Sequence, residues 1–252
     1  MLKVINETPT LWVALRGDGD TRAGRIFAQH RPNQRWYLLL LDAEPDAVAP
    51  LVDAALQAHQ HAYLIEVDDA ANETLNTLAA RGFTELRREH RYLVPTDWPR
   101  SEAVGFDLIS AADADVDRWR ELDDTLRQDV PGCVGWRNDP ARFAPDTFGD
   151  PEFDPSTYLL AVDRATGDYA GLVRVWRRRT VSRLGLIGTL PAYRRRGLAR
   201  ALLSQAFDVP HQAGQTEVSC EVDQTNVASN TLLTGLGARR DGGNVELERT
   251  VL

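Results

Sequence analysis

Apolar and polar positions along this chain follow two periods, and the switches between them mark the elements. Residues 157–163 (Thr-Tyr-Leu-Leu-Ala-Val-Asp) read as a strand, 164–168 as a turn, 169–178 as its returning partner and 181–189 as a third strand. Ahead of them, Ser110 caps a helix predicted to run to about Arg127, with Val116, Trp119 and Leu122 at helical spacing. Behind them, a helix runs through about Phe207, a strand covers 216–222, a helix covers 226–236 and ends at Gly237, and a last strand covers 244–251. Residues 128–156 carry neither period and are rich in Pro, Gly and Asp. Antiparallel hairpins followed by strand–helix–strand–helix–strand predict an α+β sheet.

The first half carries a related pattern. Glu66-Val67-Asp68, Asn72 and Asn76-Thr77-Leu78 parallel Glu221-Val222-Asp223, Asn226 and Asn230-Thr231-Leu232. Each set leads through a glycine, Gly82 or Gly237, into a final strand, placed at 88–94 in the first copy. Shared motif and shared element order predict an internal repeat. Two prolines and polar residues in Val94-Pro95-Thr96-Asp97-Trp98-Pro99-Arg100-Ser101 read as a linker, so domains are expected at 1–97 and 104–252.

One junction stands apart chemically. Residues 187–203 run from an apolar strand through Tyr193-Arg194-Arg195-Arg196-Gly197 into a helix that begins Leu198-Ala199-Arg200. Backbone N–H groups at a helix start lack partners within the helix, and the helix dipole adds positive charge there, so the junction suits a phosphate. Lys3 is the only lysine, which excludes a Walker lysine, and a single glycine does not make a dinucleotide-binding fingerprint. The matching junction of the first half, Leu41-Asp42-Ala43-Glu44-Pro45-Asp46, has no glycine or arginine and carries three acids that would repel a phosphate. Gly17-Asp18-Gly19-Asp20 has too few ligands at fixed spacing for a calcium loop and reads as a hairpin turn.

Arg194-Arg195-Arg196-Gly197-Leu198-Ala199, after Thr189-Leu190-Pro191, resembles the acyl-CoA loop of the GNAT N-acyltransferases. Ala199 stands where the motif's last glycine often is, and Thr189 where a valine is usual. Element order supports the resemblance over roughly 105–252, and the repeat extends it to a tandem plan. The implied fold is α+β with two GNAT-like mixed β-sheets flanked by helices, the N-terminal one degenerate and not binding CoA. The implied cosubstrate is acetyl-CoA. Its pantetheine arm would pair with the backbone of Ile187, Gly188 and Thr189. Its pyrophosphate would be held by Arg194, Arg195, Arg196, Gly197, Leu198, Ala199 and Arg200, and Asn226 would bond the arm. An N-cap role serves Asn226 equally. Glu221, aligned with a glutamate that acts as base in some members, is the candidate catalytic base, although its counterpart Glu66 in the degenerate half fits a purely structural role as well. The usual acid is a tyrosine seven residues after the asparagine; that position is Leu233. Tyr193 in the loop is a substitute of the right type, though in this family it more often packs. In size and tandem plan the chain also resembles mycothiol-synthase-like proteins; the likeness is of plan, and no substrate is carried over.

Composition narrows the partners. The chain has 252 residues, 43% hydrophobic and 26% charged, with a formal net charge of −8. That acidity argues against nucleic acid and suits a small, cationic or amino-sugar-type amine acceptor beside a local basic site. The irregular segment is the expected acceptor site: Asp129, Asp139, Asp146, Asp150, Glu152 and Asp154 alternate there with Trp136, Phe143, Phe148 and Phe153, a mixture that holds ammonium groups or sugars but also describes a solvated loop on aromatic anchors. No apolar run reaches membrane length, the start lacks signal-peptide form, and Cys133 and Cys220 suggest no disulfide framework, so a cytoplasmic protein without membrane or metal is expected. Either a monomer or a homodimer is compatible with these features. The leading expectation is an acetyl-CoA-dependent N-acetyltransferase acting on a primary amine; a non-catalytic acyl-CoA sensor or scaffold is the alternative, and Leu233 favours it.

Overall fold

The computed structural model describes residues 2–17, 19 and 21–250. Asp18 and Asp20 of the expected Gly17–Asp20 turn, and residue 251 of the expected last strand, lie outside them. In chain order the elements are β1 (Leu2–Thr8), β2 (Leu11–Arg16), β3 (Thr21–His30), β4 (Trp36–Leu41), α1 (Pro45–Ala58), β5 (Tyr63–Asp68), α2 (Asn72–Ala79) and β6 (Thr84–Pro95). There follow β7 (Phe106–Ser110), α3 (Val116–Arg127), α4 (Phe143–Phe148), β8 (Tyr158–Asp163), β9 (Tyr169–Trp176), β10 (Arg183–Thr189), α5 (Leu198–Gln212), β11 (Glu217–Asp223), α6 (Val227–Thr234) and β12 (Arg239–Arg249).

The fold is α+β, as expected, but the expectation of two sheets is corrected. The strands share one hydrogen-bonded order, β1-β2-β3-β4-β5-β12-β6-β11-β10-β9-β8-β7. The cause is the fate of the last strand of each repeat. Compact units form from Met1–His90 with Gly242–Leu252 and from Arg91–Asp241. These divisions fall inside β6 and β12. β12 runs antiparallel to β5 from Asn244↔Asp68 to Arg249↔Tyr63, so the first unit closes with the end of the chain.

In the first unit, α1 buries Ala47, Val48, Leu51, Val52 and Ala55, a stripe at helical spacing, against Trp12, Ile26, Leu38, Tyr63 and Ile65 of the sheet. Gly24 on β3 lets the α1 junction pass close: an added Cβ would stand 2.6 Å from the Cα of Ala43, and its φ of +153° disfavours any side chain. Gly24→Val is expected to cost about 1–3 kcal/mol through this overpacking, read as a lower urea midpoint at unchanged slope; an unchanged midpoint would show that the junction yields.

In the second unit the sheet is covered on both faces. Leu198, Leu202, Leu203, Ala206 and Phe207 of α5 pack one face with Val173, Val175, Val218 and Cys220. Trp119, Leu122 and Leu126 of α3, with Phe143 of α4, pack the other with Tyr158, Leu160, Leu172 and Leu186. Local chemistry differs from the sequence reading at the start of α3. Ser110 caps a short 3-10 turn at Ala111–Asp113 through its bond from Ala112 N–H (3.1 Å), and Asp115 caps α3 by accepting Arg118 N–H (3.0 Å). β7 has no counterpart among the elements the sequence predicts, and α4 lies within the segment expected to be irregular. Among the described residues no helix is long and apolar enough to cross a membrane, and no group of three His, Cys, Asp or Glu could hold a metal.

Candidate active site

β10 and β11 are parallel but paired at one position only, Arg183↔Ser219. On its other edge β10 stays paired with β9 as far as Thr189↔Gly171. A register shift between Leu184 and Leu186 bends β10 at this point. The two strands therefore part, and among the described residues the edge of β10 facing β11 has no ladder partner beyond Arg183. Such an edge is a template for an extended chain of amides.

The loop beyond β10 ends in a backbone cradle. Arg195 (φ +64°) and Gly197 (φ +78°) both adopt the left-handed conformation, which a non-glycine residue holds only under constraint from its surroundings. Gly197 is the N-cap of α5, and its carbonyl takes Ala201 N–H at 3.1 Å. The N–H groups of Leu198, Ala199 and Arg200 precede that first bond and have no partner within the helix. An added Cβ at Gly197 would meet nothing within 4 Å, so open space adjoins the cradle.

Edge and cradle line one cavity of about 830 Å³, which Ile187, Gly188, Thr189, Arg194, Arg195, Ala199, Arg200 and Asn226 border together with Leu126, Asp129, Val130 and Leu232. A smaller cavity of about 350 Å³ adjoins it at Tyr193, Gly197 and Leu198. Ten of the eleven residues expected to bind the cosubstrate thus border one or other of these two cavities. α3 borders the larger cavity: a Cβ on Gly188 would come within 3.1 Å of Leu126.

The arginines divide by role. Arg195 borders both cavities. Arg194 braces the loop, donating Nε–H to the Thr189 carbonyl (3.2 Å) and pairing with Asp129. Arg200 ties α5 to the end of α6 through the Gly235 carbonyl (3.3 Å). Arg196 borders neither cavity and stacks on Phe106 (4.9 Å) and Tyr193 (5.7 Å). Tyr193 packs edge-on to Phe106, in a structural setting. Asn226 performs both of its expected tasks geometrically: its Oδ1 accepts Ser229 N–H (3.1 Å) as the α6 N-cap, and the residue borders the cavity.

Glu221 lies on β11 near the parting of the strands, on the face away from the buried Val218 and Cys220. Its Oε2 accepts Arg183 Nε–H at 2.8 Å. It does not border the cavity. Cys220 beside it is no nucleophile, because burial first and the Glu221 charge second push its thiol up to about 12. Leu233 is 1% exposed within the α5-side core, so that position supplies no proton.

The acids of 128–156 are committed elsewhere. Asp129 pairs with Arg194, Asp146 with Arg142 (2.8 Å), Glu152 with Arg178 (3.0 Å) and Asp154 with Arg177 (2.7 Å). Asp139 and Asp150 accept N–H groups of Ala141 and Glu152 in local turns. Phe143 and Phe148 pack on Trp119, Phe153 packs on Phe148, and Trp136 lies under Arg127 (4.4 Å). The segment is a braced loop on aromatic anchors, and the cluster expected to hold a cation is not assembled.

Residues 117–238 match the family model of the acetyltransferase (GNAT) family. This part of the chain is a GNAT N-acetyltransferase domain, an enzyme of a family whose cosubstrate is acetyl-CoA. Over nearly its whole length the chain has the fold of solved GNAT proteins. It is similar to a GCN5-related N-acetyltransferase from Sphaerobacter thermophilus, with a TM-score of 0.76 and 17% identity over 98% of this chain and 82% of that one. It is similar to a tandem GNAT protein from the clavulanic acid biosynthesis pathway, with a TM-score of 0.69 and 16% identity over 96% and 82%. A GCN5-related N-acetyltransferase from Kribbella flavida gives 0.62 and 14% over 98% and 89%. No curated protein matches the chain.

Proposed function

We propose that the second unit transfers the acetyl group of acetyl-CoA to the primary amine of a small acceptor, that Glu221 is the general base, and that the first unit does not bind the cofactor. The observation that carries this reading is the open edge of β10 leading into the unpartnered N–H groups at the start of α5. The residues fit the cosubstrate: the main chain of Ile187–Thr189 suits the pantetheine amides, Asn226 the arm, and the α5 N–H groups with Arg195 the pyrophosphate. Bound acetyl-CoA supplies the acyl group in activated form, as a thioester.

An amine must lose its proton before it can attack a carbonyl carbon. In this reading Glu221 takes that proton, directly or through one water, while its Oε2 accepts Arg183 Nε–H. With Leu233 buried, the reading has the CoA thiolate leave without a dedicated acid, which a thiol's ordinary pKa of about 8.5 permits. The same buried Leu233 favours a binding-only protein as the second reading. The cationic acceptor suggested by net charge loses its support with the acids of 128–156 engaged.

The first unit lacks the cradle. Its α1 begins with Glu44 and Asp46, both paired with Arg16, and Glu44 makes no cap bond. Carboxylates at that helix start occupy the place a phosphate would need.

Release of CoA thiol from acetyl-CoA, measured against amines, amino sugars and peptides, tests the proposal. Glu221→Gln is expected to lower kcat by about 100-fold with CoA affinity kept. Unchanged turnover removes Glu221 from the reaction; CoA binding with no release across the panel supports the binding-only reading.

A further inference from the structure

Arg174 on β9 stands opposite Leu186 of β10 and Tyr158 of β8, beside the point where β10 and β11 part. Val173 and Val175 are buried on the α5 side, so the Arg174 side chain leaves on the α3 side, the face that also carries Arg183 and Glu221. Its guanidinium carbon lies 4.9 Å from the Trp176 ring centre and 5.7 Å from that of Tyr158. Its Nε is covered and has no hydrogen-bond partner, and among the described residues no hydrogen bond or ion pair reaches the guanidinium.

Asp123, whose charge acts on Arg174, is committed to other groups, as are Asp124 and Glu221. Asp123 takes Arg127 Nε–H (2.5 Å) and Asn138 Nδ2–H (3.0 Å). Asp124 takes Asn138 through main chain and side chain (2.9 and 2.8 Å) and lies 3.5 Å from Arg120. Glu221 takes Arg183. Gly185 makes room for the Trp176 and Arg174 side chains to lie against β10, since a Cβ there would stand 2.7 Å from Trp176 Nε1 and 3.2 Å from Arg174 Nε. Burial holds the Arg174 pKa below the ordinary arginine value, against the favourable charge of Asp123. A half-buried guanidinium with five donors, no acceptor and no hydrogen-bond partner among the described residues is complementary to a planar oxyanion, which it binds bidentately.

We infer that the acceptor is an amino carboxylate and that Arg174 is the anchor of its carboxylate group. This inference rests on the acetyl-transfer reading and names its substrate class. The amine then meets Glu221 from a molecule whose other end is held on the neighbouring strands. Arg174 acts on specificity and takes no part in proton transfer.

Matched probes test it: glycine, β-alanine, 4-aminobutyrate and L-alanine, each beside its primary amide. Thiol release from acetyl-CoA is read together with the melting midpoint of the CoA-saturated protein. In at least one pair the acid is expected to exceed the amide by about tenfold or more in kcat/KM, and to raise the midpoint where the amide does not. Arg174→Gln is expected to bring that ratio to about one, and Arg174→Lys, which keeps the charge without the fork, to retain part of it. Acids and amides equal in both readouts, or a ratio that survives Arg174→Gln, would overturn the assignment. Release from amides without preference would do so while leaving acetyl transfer standing. A carboxylate-dependent midpoint shift with no release from any probe would keep the anchor and count against the acetyl-transfer reading.

Discussion

Replacing Ala199 with glutamate is expected to abolish CoA binding while the protein stays folded. Ala199 lies in the first turn of α5 and borders both cavities beside Gly197 and Arg195. A carboxylate there is compatible with the helix, because negative charge near an N-terminus interacts favourably with its dipole and unpartnered N–H groups. The same carboxylate takes the place and the sign of charge proposed for the pyrophosphate. Attraction becomes repulsion at one point, and a loss of about 1,000-fold in affinity, roughly 4 kcal/mol, is expected by calorimetry. The thermal midpoint of the ligand-free protein should stay level or rise. Undiminished affinity at an unchanged midpoint would place the phosphate somewhere else.

Asp123→Ala is expected to be the most damaging single change to stability. Asp123 is 0% exposed and Arg127 7%, on adjacent turns of α3, with Asn138 and Tyr158 around them. Removing the acid leaves Arg127 buried without its counter-charge, a loss of about 3–5 kcal/mol. Burial alone would raise the Asp123 pKa, but the Arg127 and Arg174 charges and the bonds from Arg127 and Asn138 outweigh it and hold the carboxyl below its ordinary value. A depressed folded-state pKa means stability that is present above the unfolded value of about 3.9 and lost as pH falls through the folded one. The gap between wild type and Asp123→Ala in urea midpoint should therefore narrow below about pH 4. A gap that widens there, or that is absent at neutral pH, would show that the pair is not what holds α3.

The parts of the fold legible in the sequence are those whose cause is local. Strand β8, its turn and β9 are written in short apolar runs of strand length and in Thr166-Gly167-Asp168. The α5 start is written in Gly197, whose positive φ few other residues could supply. The repeat was visible because Asn226 and Asn72 both follow strands, although only Asn226 makes a cap bond. What the sequence concealed is long-range. No local pattern says that β12 pairs with β5, some 180 residues earlier. β7 went unseen because its five residues mix one buried position with exposed and half-buried ones. At the site, residue types foretold the cradle but not the division of labour. Arg194 and Arg196 look identical in sequence, yet one braces the loop and the other stacks on Phe106. The acids of 128–156 read as a cation site because their partners Arg142, Arg177, Arg178 and Arg194 are set by folding. Arg174 carries no motif; the only hint is an arginine placed centrally in an apolar strand.

A bound diphosphate-linked thioester must rest on the amide hydrogens that open the fifth helix, and isotope exchange reads those hydrogens one segment at a time. Deuterium uptake with and without coenzyme A should show slowing over residues 187–189, 197–201 and 226–232, with 36–48 unaffected. Uniform uptake across those segments, or slowing confined to residues below 90, would contradict it.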